Sequence, residues 1–178
     1  MKRKIIAVLS LVLIAGLVAV SDFADAYMRK NTEEVDNTFI PAYVDCVVNE
    51  SFADNKKTAI TVENTSNIDA YIRVRMVSYW IDERGSIVNK TSEMPAFNTA
   101  DDWIQDADND TYYYTKKVAP DAFTTTLLGS VITLRVSSEG YRQVVEVFAE
   151  AIQAEPAKAV ESAWPVKVDA ETGCISLK

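Results

Sequence analysis

Beyond Pro41 the chain breaks into short runs of β-branched and aromatic residues separated by turn-forming polar residues, the pattern of an all-β domain. Predicted strands cover residues 43–48, 58–63, 70–81, 87–89, 112–118, 124–128, 131–136, 141–153 and 166–169, and a last short one covers 174–177. Over 70–81, Ile72, Val74, Met76 and Trp80 fall on one face and Tyr71, Arg73, Arg75 and Tyr79 on the other, so one face packs and the other meets water. Over 141–153, Val145, Val147, Ala149 and Ala151 share one side, while Val144, Phe148 and Ile152 share the other with Glu146 and Glu150. The Val-rich start of this run suits a central strand; its Ala-rich end also fits a helix.

Residues 64–67, 83–86, 120–121 and 137–140 carry the turn signals that separate these runs. Residues 155–164 differ. Pro156 suits a first helical position, good helix formers follow, and Pro165 stops the run, which predicts a short helix that Trp164 pins to the sheets. The fold expected for residues 41–178 is an antiparallel β-sandwich with one short helix near the C-terminus. The long polar stretch 90–111 reads as a loop and a variable surface.

Ahead of the domain the pattern changes twice. Lys2, Arg3 and Lys4 precede an uncharged apolar run from Ile5 to Val20, and Ala24 and Ala26 occupy the small-residue positions before Tyr27. That is the layout of a secretory signal cut after Ala26. As a helix the apolar run would reach about 24 Å, short of a roughly 30 Å hydrocarbon core, so an uncleaved anchor is the weaker reading. No second apolar run of spanning length follows, and no stable membrane span is expected after cleavage. Residues 27–40 are polar and charged, and read as an extended N-terminal arm.

Charge and composition narrow the chemistry. The net charge of −8 makes nucleic acid and bare anionic membrane poor partners. Histidine is absent, which excludes an HExxH zinc helix, a His-bearing catalytic triad and an imidazole proton shuttle. None of the five glycines builds a phosphate loop. Carboxylates are numerous, but nothing in their spacing selects a general acid and base, so no enzyme, catalytic residue or cofactor is expected.

Three constellations remain. Cys46 and Cys174 lie near opposite ends of the domain and are candidates either for a disulfide or for two half-buried free thiols. Asp106, Asp108 and Asp110 match three positions of a calcium loop, but Thr111 stands where the turn needs glycine and Lys117 where a bidentate glutamate should close the shell. This leaves a weak calcium candidate set against a solvated acidic loop. Tyr71, Arg73, Arg75, Tyr79 and Tyr113 could form an aromatic and guanidinium binding face, or simply dress a strand with cross-strand pairs.

The Ala26-Tyr27 junction followed by Asn37-Thr38-Phe39 resembles the processing region of Gram-positive proteins cut by the SipW-type signal peptidase, the TasA and camelysin group. Residues 62–73, VENTSNIDAYIR, resemble the NTGNIDAYIR stretch of that group, with Ser66 in place of its glycine. Trp103, Tyr112, Tyr113, Tyr114, Lys116, the AIQA of 151–154 and Ala163-Trp164 belong to the same likeness, which is scattered over most of the mature chain. The resemblance implies a jelly-roll-like sandwich, export, and a place among biofilm-matrix or cell-surface fibre proteins. It also implies that the processed arm, with Tyr27, Met28, Val35, Asn37 and Phe39, completes the sheet of a neighbouring subunit. The expected partners are therefore further copies or a related matrix protein, and the signal peptidase during export; the expected location is extracellular or at the cell surface. The alternative is a monomeric adhesin that holds a glycan or protein with the loop 90–111 and its tyrosine face, and a secreted hydrolase is a third class.

Overall fold

Strand β3 (Ala70–Ile81) organises the molecule, because its two-residue period buries Ile72, Val74, Met76 and Trp80 on a single face. The computed structural model describes residues 40–107 and 110–178, of which Pro41–Lys178 form one compact unit. The expected signal segment and the arm up to residue 39 lie outside the described residues, as does Asp108.

The remaining elements are β1 (Cys46–Ala53), β2 (Lys56–Asn64), β4 (Ile87–Val88), β5 (Trp103–Asp106), β6 (Thr111–Tyr114), β7 (Ile132–Thr133), β8 (Arg142–Gln153), α1 (Ala157–Ala163), β9 (Val166–Val168) and β10 (Ile175–Leu177). All strand pairs are antiparallel. In the five-stranded sheet β8 lies along the whole of β3, while β6 and β4 share the other side of β3 and β5 extends beyond β6. The second sheet runs β1-β2-β7.

These two sheets sandwich a core of Ile60 and Val62 from β2, Ile72, Val74 and Met76 from β3, Trp103, Tyr112 and Tyr114 from β5 and β6, and Val145 from β8. Among the described residues the fold is an all-β antiparallel sandwich with one short helix, as the sequence pattern predicts. A third layer covers part of the outer face of the large sheet. There α1 and the β9–β10 hairpin bury Tyr71 and Tyr113 with Val160, Trp164, Val166 and Ile175.

Several expectations need correction. The segment 124–128 forms no strand; its threonines bond β2 instead, with Thr124 and Thr126 hydroxyls accepting from the Val62 and Ile60 amides at 3.0 and 3.2 Å. The stretch 90–111 is not a free loop. It contains β5, and the Ala100 amide donates to the Leu127 carbonyl at 3.0 Å while Gly129 donates to Asn98 at 2.7 Å. The Ala-rich end of 141–153 is strand, because every residue of β8 pairs with β3. And β8 is not central: among the described residues its main chain pairs with β3 along its length and otherwise bonds only Arg135 and Val136, at its first residues.

Both cysteines are free. Cys46 packs at the start of β1 against the main core, whereas Cys174 precedes β10 in the hairpin of the outer layer, so the fold does not bridge them. Burial, then the Asp45 and Glu150 carboxylates, push the Cys46 thiol up to about 11 from an ordinary 9.0. Because the fold favours the neutral thiol, that contribution is fully present below pH 9.0 and is lost as pH rises through about 11. At pH 8, Cys46 is expected to react with an alkylating reagent about a hundredfold more slowly than an ordinary thiol, a rate readable by mass spectrometry of the labelled peptide. Labelling at the ordinary rate would show that the start of β1 opens.

Candidate functional site

Main-chain hydrogen bonding in an antiparallel strand alternates sides, so the partners of a few residues fix the direction of all the others. In β8 the Ala154 amide, just past the strand end, bonds back to Asp69 at 2.9 Å, and the Gln143 amide points the opposite way, to Arg135 at 2.9 Å. Even-numbered residues of β8 therefore face β3. The amides and carbonyls of Val145, Val147, Ala149, Ala151 and Gln153 face outward, and no described strand pairs with them.

The main chain of β1 alternates in the same way. The Thr65 amide donates to the Asp45 carbonyl at 3.2 Å, so odd residues face β2 and the main chains of Cys46, Val48 and Glu50 point away. The Cys46 amide is capped by Asp45 Oδ1 at 2.8 Å, and the strand is bulged between Ser51 and Phe52. Among the described residues each sheet thus ends in an open edge, and the two edges lie beside each other, with Cα atoms of β1 and β8 within 8 Å.

Between them runs a seam. It widens to a groove of about 530 Å³ lined by Val48 and Glu50 of β1, Lys57 of β2, Tyr79 of β3 and residues 144–147 of β8. Lys57 Nζ donates to Glu50 Oε2 at 2.6 Å, and the lysine side chain is only 8% exposed, so the groove floor carries a paired charge beside apolar walls. The Tyr79 phenol is pushed up by burial and then by the neighbouring Glu146 carboxylate. A strand bonded on both sides needs edges about 9.6 Å apart, so an added strand would widen the seam by a few ångströms at its closest points.

The predicted binding face does not assemble. Tyr71 is fully buried and its hydroxyl donates to the Gly173 carbonyl at 2.6 Å; burial is the first cause that raises its pKa. Tyr113 is 1% exposed, with its ring edge-on to Trp164 at 5.7 Å. Arg73 is committed as well: Nη2 donates to Glu150 Oε2 at 2.6 Å and the guanidinium lies 5.0 Å from the Trp164 ring. Only Arg75 remains exposed, with Tyr79 half-buried. The face that alternation assigns to water is covered by the outer layer, a contact no local pattern announces. No family model, curated protein or solved structure matches the chain.

Among the described residues no cluster of three or more His, Cys, Asp or Glu could hold a metal ion. Asp106 stands in β5 and Asp110 just before β6, with Asp108 between them outside the described residues. The cleavage residues Ala24 and Ala26 and the arm residues Tyr27, Met28, Val35, Asn37 and Phe39 also lie outside. Sequence reading missed the seam, since an open edge is a property of what does not pair. Its one legible trace is the even apolar and odd apolar character of 144–152, interrupted by Glu146 and Glu150.

Proposed function

We propose that this protein is an exported, non-enzymatic structural subunit of extracellular biofilm-matrix or cell-surface fibres, assembled by donation of the arm 27–39 to the β1–β8 seam of a second copy. The observation that carries the reading is the outward row of main-chain groups on Val145, Val147, Ala149, Ala151 and Gln153, which no described strand pairs, beside the β1 edge that is likewise open among the described residues. A long regular edge is a template for a strand from another chain. The arm fits in length: fully extended it reaches about 40 Å, enough to cover the roughly 30 Å of the open stretch of β8. Donor and acceptor are different surfaces of the same molecule, so the contact is heterologous and grows head to tail.

Burial of Tyr71 and Tyr113 counts against the tyrosine platform of the adhesin alternative. The deciding experiment compares protein starting at Tyr27 with protein starting at Ala42 by electron microscopy and sedimentation. Fibres or large oligomers are expected from the longer form alone. If both forms stay monomeric, donation is refuted; if both assemble, the arm is not the donor.

A further inference from the structure

One lysine points into the sandwich. In β2, Ile60, Val62 and Asn64 are buried, and strict alternation would bring Thr58 and Lys56 to the same side. The ladder slips instead. Ser51 pairs with Ala59 but Phe52 pairs with Lys57, so Thr58 is an extra residue and the faces invert beyond it. Lys57 is therefore buried, while Lys56 and Thr58 are exposed. Burying an ammonium is costly unless its donors are satisfied. Glu50 Oε2, at 2.6 Å, takes one of the three N–H groups of Lys57 Nζ, and among the described residues no second acceptor bonds it.

Beside this lysine, where the β1–β2 hairpin meets the start of β8, lies a cavity of about 260 Å³. Consecutive residues hold its mouth: the Leu134 amide donates to the Asn55 carbonyl at 2.8 Å, and the Arg135 carbonyl accepts from the Gln143 amide at 2.9 Å. Phe52, Ile81, Leu134 and Val144 give it apolar walls, and the Phe52 ring, 54% exposed, lies 6.0 Å from Lys57 Nζ. Arg142 also lines it, exposed and without an ion pair among the described residues. Lys57 and Arg142 against Glu50 leave one net positive charge in a chain whose net charge is −8. The cavity is smaller than the roughly 300–1,000 Å³ of sites for drug-sized ligands.

We infer that this cavity binds a small amphipathic monoanion, a carboxylate with a short hydrocarbon body, and that Lys57 holds the carboxylate with the donors that Glu50 leaves free. The site adjoins the seam but needs no added strand, so it stands apart from strand donation. Equilibrium dialysis of the Tyr27-start protein against octanoate, octanol and acetate tests it, since dialysis reads binding whether or not the protein assembles. Octanoate is expected to saturate one site per chain with a Kd of about 1 mM or below, octanol to bind about tenfold more weakly, and acetate not to bind measurably. Lys57→Met keeps the unbranched side chain and should weaken octanoate about tenfold; Glu50→Gln removes the competing charge and should tighten it several-fold, with octanol unmoved by either. Absence of saturable octanoate binding overturns the site. Octanol binding as tightly as octanoate, or octanoate affinity unmoved by both variants, overturns the role of Lys57. Should thermal unfolding show that Lys57→Met does not fold, Glu50→Gln decides: tighter octanoate binding supports the assignment, and unchanged or weaker binding overturns it.

Discussion

Replacing Asn64 by alanine is expected to cost about 3–5 kcal/mol of folding stability, the largest single effect of any polar substitution in the domain. The side chain is fully buried and serves three partners at once. Its Nδ2 donates to the Ile68 carbonyl at 2.9 Å and to the Val118 carbonyl at 2.8 Å, while Oδ1 accepts from the Ser66 amide at 3.0 Å. Alanine removes all three bonds and fills none of the space, and a buried polar group left without a partner costs about 1–3 kcal/mol. The Val118 carbonyl keeps one bond, from the Ala70 amide at 3.0 Å, which holds the expected loss below the sum of three full penalties. Urea unfolding should show a lower midpoint with an unchanged slope, and the melting temperature should fall by about 10 °C. A loss under about 1 kcal/mol would mean that water or a shifted turn replaces the asparagine.

If the proposed strand donation operates, Ala149→Pro is expected to abolish fibre formation while leaving the monomer folded. The Ala149 amide points away from β3, so proline removes no bond from the ladder that joins the two longest strands. At an edge, proline deletes one donor and sets its ring in the path of an incoming strand, which is how natural sheets block edge-to-edge pairing. The measurement is sedimentation of the Tyr27-start protein with thermal unfolding in parallel. Fibres that persist with a normal melting temperature would move the acceptor away from β8. The same substitution at Phe148, whose amide does face β3, should unfold the domain, and the contrast tests the alternation argument directly.

Much of the architecture can be read along the chain because it depends on local periods. The bounds of β3, the faces of Ile72 and Val74 against Arg75, the helix between Pro156 and Pro165 and the terminal hairpin all follow from alternation and turn chemistry. Where reading failed, the cause was a partner distant in sequence. Tyr71 and Tyr113 alternate like exposed residues, but α1 and the β9–β10 hairpin return to cover them. Residues 141–153 are apolar enough for a central strand, yet among the described residues they close one side of their sheet, and their inner side chains are sheltered by the opposing layer instead of by a second neighbouring strand.

The sequence by itself determined the fold class, the absence of histidine chemistry and the domain start near Pro41. Only the tertiary structure decided which tyrosines are buried, that the cysteines stay apart and which of the described backbone groups are left without a strand. The reason is physical: side-chain period is written locally in two-residue steps, whereas burial by a third layer and the pairing of an edge depend on which distant segments return to it.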